Sequence, residues 1–493
     1  MGIIKTQSIQ NSIITYIGIA LGFISTLYLF PNILSTDEYG LTRVILAVAF
    51  IFTEFTHLGM KNIAIKFFPE FENKENKHNG FLFLVLFIPL IGYIISLGVL
   101  FSFDDFIIQK YTQDSTLFGD YFLFLIPLIA GILYFDVLNS YIRANKDSVP
   151  GSVVNEVILR ILVIALLILH FYEYLSFQQF MTGFVCSYLF QPVMLTIYLF
   201  RTGSFNIKPN FDFLNKTLMK RIGNYGVFVL LGGMTHIIVN NIDILMLGSL
   251  AGLTNTGIYT IAFYIGSVIV VPQKSVGKIA PSLLSRYLHS DNIPEVEHIY
   301  KSSSLNQLVA GFLIFTGIWA NLDNLIDILP TEYAGGRWVV IIIGISKLFD
   351  MAGGVNGNII MHSRYYKFNM MATSVLIFVS IGLNYVLIPL YGITGAAIAT
   401  AISLLIYNLV KSIYVWYQFS IQPLSPKVIP IILISAAILL ISLQVDRIGN
   451  LYIDIILRSA IITVIYSVAM VTLNVSDEVN KLWRQILNVL AKK

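Results

Sequence analysis

Acidic, basic and amide side chains recur at helical spacing inside runs that are otherwise apolar. Glu54, His57 and Lys61 occupy positions i, i+3 and i+7, so a continuous helix would carry them on one face. A histidine beside a carboxylate can take up and release a proton near neutral pH, and cationic donors such as His57 and Lys61 can bind a phosphate group. The spacing leaves two interpretations open: a site for substrate phosphate with ion coupling at Glu54, or an internal ion-paired link between helices.

A second polar stripe lies in the run HIIVNNIDILMLG at residues 236–248. His236, Asn240 and Asp243 are spaced i, i+4 and i+7, which again places them on one helical face. The stripe is either the wall of a water-filled cavity or a hydrogen-bonded patch against a neighbouring helix. On the first interpretation, His236 and Asn240 are candidate substrate contacts.

Two further charge pairs have the spacing of ion pairs within one helix. Lys347 and Asp350 are three residues apart, and Glu156 and Arg160 are four apart. Both pairs are predicted to be mutual ion pairs. Lys347 has a second interpretation as a further phosphate contact, and Asp350 is a candidate for ion coupling or gating.

The first apolar run adds small and weakly polar positions. Asn11 begins a stripe at alternating spacings of four and three residues, which comprises Asn11, Thr15, Gly18, Gly22 and Ser25. Such a stripe suits close helix packing or a wall that faces sugar, so Asn11 is a candidate substrate contact. Tyr16 is a candidate for stacking on a sugar ring, and Asp136 is predicted to pair with Arg143.

The composition indicates that a membrane protein carries these polar groups. The chain has 493 residues, a mean hydropathy of +0.78 and 12% charged residues, whereas a soluble chain carries about 25%.

One cysteine, Cys186, excludes a disulfide within the chain, and the seven histidines form no HExxH zinc pattern. No GxxxxGK[ST] sequence is present to bind ATP. No cofactor or metal is predicted, and the expected energy source is an ion gradient, the membrane potential or downstream consumption of product.

Fourteen apolar runs are long enough to cross a bilayer core, which needs about 20 residues per helix. With the N-terminus in the cytoplasm, 24 of the 31 basic residues fall in the inside loops or near the inside ends of runs, five fall on the outside, and Arg160 and Lys347 are assigned to neither side. This excess predicts cytoplasmic N- and C-termini. The runs are residues 9–31, 42–64, 80–102, 119–142, 153–170, 178–200, 223–249, 256–280, 303–322, 338–360, 368–389, 393–417, 427–444 and 452–473.

An internal repeat divides the chain. The loop LSTDEYGL at 34–41 resembles AGLTNTGI at 251–258, an offset of 217 residues, and the dipeptide at 135–136 recurs at 349–350, an offset of 214. Both offsets correspond to six runs, which predicts two parallel six-helix repeats with a substrate site between them. The predicted organisation is an N-terminal lobe at 1–208, an amphipathic linker at 209–222, a C-terminal lobe at 223–420, two added helices at 421–475 and an amphipathic cytoplasmic tail at 476–493.

Several stretches resemble one family of transporters. They are LSTDEYGL at 34–41, HLGMKNIAIKFFPEF at 57–71, NNIDILMLGSLAGLTNTGIYTIAFY at 240–264 and LIPLYGITGAAIAT at 387–400. They are similar to the polysaccharide-biosynthesis flippases (Wzx-type O-antigen transporters) of the multidrug/oligosaccharidyl-lipid/polysaccharide exporter superfamily, and the resemblance covers the whole chain. In the last stretch a helix break is predicted at Pro389 and Gly392, followed by small residues that allow close packing.

The resemblance implies an all-α polytopic membrane protein of the bacterial cytoplasmic (inner) membrane, with a V-shaped pair of six-helix lobes around a central cavity and two extra C-terminal helices. It implies a flippase that moves undecaprenyl-diphosphate-linked oligosaccharides from the inner to the outer leaflet by alternating access, with runs 1, 2, 7 and 8 lining the cavity. An aspartate at position 243 is a recurring feature of the family near the outer end of run 7, which favours a gating or structural role.

The implied partners are the lipid-linked oligosaccharide, the phospholipid bilayer, a coupled H⁺ or Na⁺ ion and other polysaccharide assembly proteins, and no nucleic acid. Two other functions fit parts of the sequence. A drug or metabolite exporter of the same superfamily would have the same fold. A membrane polysaccharide polymerase or ligase would need a large outer loop with catalytic residues, whereas the outer loops here are short and acidic. The expected protein is therefore a transporter rather than an enzyme.

Overall fold

The structure is a computed structural model that describes residues 2–73, 75–112, 115–476, 478, 480 and 481, without the side chains of 2–5, 8, 77, 231–236, 275, 278 and 279. Every regular element in these residues is a helix, which confirms the all-α class. In this part of the chain ten helices are long and apolar enough to cross a membrane, or eleven if a pair bent by 45° forms one span. The polytopic membrane class is confirmed, and the number of fourteen spans stays a prediction. From residue 482 onward, the predicted amphipathic tail lies outside the described residues.

The chain forms two compact units, residues 1–257 and 258–493. The predicted lobe boundaries at 208 and 223 stay a prediction. Two π-helical turns in the first unit, Ile24–Leu29 and Val154–Ile158, interrupt membrane-spanning helices. The first unit contains α1 (Gly2–Phe23), α2 (Thr36–Thr56), α3 (Met60–Phe71), α4 (Phe81–Ser102), α5 (Leu125–Ala144), α6 (Leu159–Phe171), α7 (Phe177–Arg201) and α8 (Lys216–Leu250), with shorter helices at Phe30–Ile33, Asp104–Tyr111, Leu117–Asp120 and Val149–Val153.

Local sequence signals explain where α2 and α8 begin. Ser35 precedes α2, accepts a hydrogen bond from the Glu38 N–H at 3.3 Å, and donates its own backbone N–H to the Glu38 carboxylate at 2.9 Å. This reciprocal capping box satisfies two N–H groups that the first turn leaves unpaired. Asn215 caps α8 in the same way, accepting from the Leu218 N–H at 2.7 Å.

The core of the first unit is rich in aromatic residues. Phe68, Phe81 and Tyr141 are buried and bring α3, α4 and α5 together, with Phe68 and Tyr141 in an edge-to-face contact at 5.8 Å. Leu218 and Ile222 at the start of α8 pack into the same core. Residues 211–213 form a turn, Phe211 is 68% exposed, and α8 begins at Lys216 and continues unbroken to Leu250. The predicted amphipathic linker at 209–222 stays a prediction.

The second unit repeats the pattern of long helices joined by short turns. The pair α12 and α13 is bent by 45°, so the predicted run 338–360 is a broken helix. The unit contains α9 (Gly252–Ser267, which begins in the first unit), α10 (Val271–His289), α11 (Ile293–Ala320), α12 (Arg337–Ala352), α13 (Asn356–His362), α14 (Tyr366–Phe419), α15 (Val428–Gln444) and α16 (Leu451–Thr472), with a short helix at Leu322–Asp327.

The helix α14 spans 54 residues and contains one break. Gly392 has φ 56° and ψ −132°, outside the helical region, and only glycine adopts such a conformation readily. A Cβ on the nearby Gly395 would overlap the Leu387 carbonyl, and Ala396 and Ala397 are fully buried. The predicted break at Pro389 and Gly392 and the close packing after it are confirmed.

The last two helices pack on α11. Tyr466 of α16 is buried and donates a hydrogen bond to the Val309 carbonyl of α11 at 2.8 Å. Ile431 and Ile438 of α15 bury one face in the same cluster, while Leu433 and Ile441 are more than 60% exposed. An apolar surface of this kind faces lipid in a membrane protein.

Candidate functional site

The second predicted run is a broken helix, and the break carries a buried histidine. α2 ends at Thr56 and α3 begins at Met60, with Leu58 at φ 49° and Gly59 at φ 79° between them. A left-handed non-glycine residue is uncommon. His57 is fully buried at this point, and its Nδ1 accepts a hydrogen bond from the Gly59 backbone N–H at 3.0 Å. The imidazole therefore closes the turn that breaks the span.

Glu54 and His57 form the predicted pair. The His57 Nε2 lies 3.2 Å from the Glu54 Oε2, and the two side chains are 0% and 9% exposed. Because Nδ1 accepts from Gly59, a neutral ring must carry its proton on Nε2, toward the carboxylate. The ring thus accepts a main-chain hydrogen bond at the break through Nδ1, while Nε2 lies against an acid.

Lys61 makes its ion pair with an acid on another helix. The break turns α3 relative to α2, so the predicted single face of Glu54, His57 and Lys61 is wrong. The Lys61 Nζ instead lies 3.0 Å from the Asp136 Oδ2 of α5, with the side chains 38% and 24% exposed. Asp136 is therefore not the predicted partner of Arg143, because it pairs with a base 75 residues away in sequence.

The break in the second span contacts α8. A Cβ on Gly59 would lie 2.7 Å from the Gly226 carbonyl oxygen and 2.8 Å from the Gly226 Cα. Only a residue without a side chain fits at this crossing, and α2 packs along α8 beyond it. The helix that carries the second polar stripe therefore touches the break directly.

The stripe on α8 is partly described. The side chain of His236 lies outside the described residues. Asn240 is exposed and Asp243 is half-buried. Asn241 donates to its own helix, at the Ile237 carbonyl, at 2.9 Å, as polar groups in an apolar helix commonly do.

The stripe of small residues on α1 packs against the Glu156–Arg160 pair. Arg160 Nη2 lies 3.0 Å from Glu156 Oε2, so this predicted ion pair is confirmed. A Cβ on Gly18 would lie 2.7 Å from Glu156 Oε2, and a Cβ on Gly22 would overlap the Arg160 guanidinium. The two glycines thus serve helix packing.

The two remaining candidates on α1 have different environments. Asn11 donates to the Ser148 hydroxyl at 2.7 Å, which ties α1 to the segment before the fifth predicted run. Tyr16 is 67% exposed. Asn11 thus joins two elements of the protein, whereas the Tyr16 side chain lies at the surface. Their predicted roles as substrate contacts stay predictions.

In the second unit, amide groups hold Asp350. Gln273 donates to its Oδ2 at 3.0 Å and Asn408 to its Oδ1 at 2.9 Å, whereas the Lys347 Nζ lies 5.2 Å from the centroid of the Phe263 ring. The predicted Lys347–Asp350 ion pair is therefore wrong, because the carboxylate faces α10 and α14 rather than along its own helix.

Two buried polar residues of the second unit, Asn408 and Lys411, were not predicted from the sequence as candidate site residues. Asn408 joins Asp350 to the buried Asn356 of α13, whose amide donates to Asn408 Oδ1 at 3.3 Å. Lys411 is 6% exposed in α14, with its Nζ 4.2 Å from the Tyr407 ring centroid. A scan for amide and basic residues inside apolar runs, rather than for charge pairs, would have found both.

At the opposite end of the first unit from the N-terminus, the two repeat-related loops meet. Gly40 of α2 and Gly257 of α9 lie against each other, so that a Cβ on either would overlap the backbone of the other segment. The Thr254 hydroxyl donates to the Asp37 carboxylate, and these residues are 217 positions apart, the predicted offset of the repeat. The contact holds this end of the second span against the loop between α8 and α9.

No three His, Cys, Asp or Glu side chains in the described residues converge as a metal site would require. Internal repeats and broken membrane-spanning helices are features of helical secondary transporters.

The chain belongs to the family described as polysaccharide biosynthesis protein, whose model matches residues 6–277. A curated relative, the probable low-salt glycan biosynthesis flippase Agl15 of Haloferax volcanii, is 21% identical over 216 residues, which are 44% of this chain and 45% of the relative. The chain thus spans about half the length of the curated relative that it matches.

Two solved structures are similar in fold. The lipid II flippase MurJ in an inward closed conformation has a TM-score of 0.74 at 15% identity, over 95% of this chain and 100% of that one. An inward-facing multidrug resistance transporter (MATE) of the MOP superfamily has a TM-score of 0.63 at 14% identity, over 82% and 98%. At these identities the likeness shows the fold.

Proposed function

We propose that this protein is a flippase that moves undecaprenyl-diphosphate-linked oligosaccharide repeat units from the cytoplasmic to the outer leaflet by alternating access. The membership in the polysaccharide biosynthesis family and the flippase function named for the Haloferax relative support the reaction class. The excess of basic residues in alternate loops supports cytoplasmic termini, and the proposed location is the inner membrane of a bacterium, where an undecaprenyl-linked substrate is made. Membrane-embedded polysaccharide assembly proteins are the expected partners, because they supply and consume this substrate.

One observation carries the proposal: the buried Glu54–His57 pair at the break in the second span, seated directly on α8. An ionised group at the bilayer centre costs about 2.5–3.5 kcal/mol on insertion scales, so such groups mark function. Broken helices at membrane depth are tolerated where they are buried in protein or line a water-filled cavity, and transporters use them at their binding sites. The pair occupies such a break and contacts α8 through Gly59 and Gly226.

The geometry favours H⁺ over Na⁺ as the coupled ion. A second proton on the His57 ring must go to Nδ1, which already accepts the Gly59 N–H. Protonation would therefore displace a hydrogen bond that closes the break. Among the described residues, Lys61 on α3 and Asp136 on α5 pair with each other, and α4 brings no titratable acid or base between residues 81 and 102 except Tyr93.

The contact of Gly40 with Gly257 is the proposed outer gate. Alternating access requires an outward-open state in which the outer ends of the spans separate. The Asp37–Thr254 hydrogen bond is the polar link that would break in this step, while the glycine contact offers no side chains to interlock. Asp243, on the half-buried part of α8 before this gate, is proposed to support the closed state.

Reconstituted vesicles test the proposal directly. Flipping of an undecaprenyl-diphosphate oligosaccharide would be followed by exposure of sugar to a membrane-impermeant oxidant, with a proton gradient, a sodium gradient or neither. The His57→Gln variant is expected to lower the proton-driven rate at least tenfold, or about 1.4 kcal/mol. His170→Gln, which alters a histidine bonded to the Leu175 carbonyl at the end of α6, serves as the control. An unchanged rate and pH profile in His57→Gln would remove this pair from the mechanism.

The fold shared with the multidrug transporter makes drug or metabolite export the second candidate. The same vesicles distinguish the two. Proton-driven uptake of an organic cation, with no movement of the lipid-linked sugar, would favour the exporter.

A further inference from the structure

A groove opens at the end of the first unit that carries the N-terminus. It lies between the start of α1, the segment 147–158 and the last two turns of α7, and its cavity volume is about 570 Å³. This volume falls in the range of small-molecule sites, roughly 300–1,000 Å³. The floor is apolar and is formed by Val153, Val154, Ile158, Met194 and Ile197.

The walls of the groove are held by hydrogen bonds. Gln7 donates to the Lys146 carbonyl at 2.9 Å and accepts from the Ser148 hydroxyl at 3.1 Å. The Tyr198 hydroxyl donates to Asp147 Oδ2 at 2.6 Å, which fixes α7 to the segment before the fifth predicted run. The groove is therefore a built feature of three elements rather than a gap between loose side chains.

The polar rim carries one cation and one anion that do not neutralise each other. Arg201, the last residue of α7, is exposed, and no carboxylate among the described residues lies within ion-pair distance of it. Asp147 is half-buried and makes no ion pair with a described base. Its Oδ1 accepts from the Val149 backbone N–H at 3.1 Å, and its neighbour Lys146 pairs with Glu72 at 3.1 Å. Gln10 adds an exposed amide to the lining of the same groove.

We propose that this groove binds one phospholipid with a zwitterionic aminoalcohol headgroup, of the phosphatidylethanolamine class, in the leaflet at the N-terminal end. The phosphodiester is bound by Arg201 and Gln10, the ammonium by Asp147, and an acyl chain lies on the apolar floor. The charges of the rim match such a headgroup, one for one. A purely anionic headgroup would satisfy Arg201 and leave Asp147 facing negative charge. The site requires only that the chain spans a membrane, so it does not depend on the transported substrate.

The binding test uses the full-length protein in nanodiscs of equimolar phosphatidylethanolamine, phosphatidylglycerol and phosphatidylcholine, followed by native mass spectrometry of retained lipid. One phosphatidylethanolamine is expected to be enriched about fivefold over the bulk ratio, which is the effect of about 1 kcal/mol per charged contact. Arg201→Gln is expected to bring retention of all three lipids to the bulk ratio. Asp147→Asn, which keeps an acceptor for Tyr198, is expected to shift the preference toward phosphatidylglycerol.

Two further variants keep the test decisive. Val153→Trp fills the floor without changing the rim and is expected to abolish retention, while Lys208→Gln, an exposed base outside the groove, is expected to change nothing. All variants are compared at matched thermal stability. Equal retention of the three lipids by the wild-type protein, or displacement of the bound lipid by undecaprenyl phosphate, would overturn the assignment, and neither result bears on whether the protein flips oligosaccharide.

Discussion

Gly40 and Gly257 lie back to back with almost symmetric distances. A Cβ on Gly40 would lie 3.2 Å from the Gly257 nitrogen, and a Cβ on Gly257 would lie 3.3 Å from the Gly40 nitrogen. Each would also overlap a carbonyl of the other segment, that of Leu253 or of Thr36, and these two positions are themselves 217 apart. Repeat-related residues therefore contact each other reciprocally, as across a two-fold axis.

A disulfide across this contact is expected to stop transport reversibly. Cysteines would replace Asp37 and Thr254, whose side chains are hydrogen-bonded, after Cys186, the only native cysteine, has been changed to alanine. Oxidation should lower flipping to background because the outer gate cannot open, and reductant should restore it. The matched control is the single Asp37→Cys variant, which oxidation should leave active. Full activity of the oxidised double variant, with the cross-link verified by mass, would show that this contact is not a gate.

The Gly59→Ala substitution is expected to destabilise the protein strongly. The residue has φ 79°, and a Cβ would lie 2.7 Å from a backbone oxygen of α8. Left-handed strain costs about 1–2 kcal/mol and overpacking about 1–3 kcal/mol, so a loss of at least about 2 kcal/mol is expected. Thermal unfolding in detergent measures it. Gly98→Ala, in a helix with nothing within 4 Å of the added atom, is the control and should change stability little.

A comparison of single and double variants of Lys61 and Asp136 tests whether Lys61 contacts substrate. Either Lys61→Met or Asp136→Leu alone leaves a charge without its partner at a half-exposed site, which is expected to cost about 1–3 kcal/mol of stability. The double variant should recover most of that loss. If Lys61 serves only the ion pair, transport recovers with stability. If the recovered double variant remains inactive, Lys61 binds the substrate phosphate, as its sequence position first indicated.

Lys347 and Asp350 are expected to behave independently. The carboxylate is held by Gln273 and Asn408 and the ammonium lies over Phe263, so Lys347→Gln and Asp350→Asn should add to within about 0.5 kcal/mol in unfolding free energy. The Glu156–Arg160 pair, with its 3.0 Å contact, provides the positive control and should show a coupling energy. Coupling of similar size between Lys347 and Asp350 would show that the two side chains form an ion pair after all, which would contradict this prediction.

Several features followed from the sequence alone because they depend on neighbours in the chain. Apolar runs of about 20 residues can satisfy their backbone in a membrane only as helices, so the all-α class was predictable. Glu156 and Arg160 are one helical turn apart, and Gly392 follows Pro389, so the ion pair and the break in α14 were predictable too. The offset of 217 residues predicted which loops correspond, although not that they touch.

The candidate site depended on the tertiary structure. Two left-handed residues, Leu58 and Gly59, separate Lys61 from the face of His57, and no periodicity of apolar residues reports a break of this kind. Lys61 pairs with Asp136 on α5, and Asp350 accepts hydrogen bonds from amides on α10 and α14. A charge removed from water must pair with a complementary group that is near in space, whatever its distance along the chain. Helical periodicity determined which side chains share a turn, and the packing of one helix against another decided which of them meet.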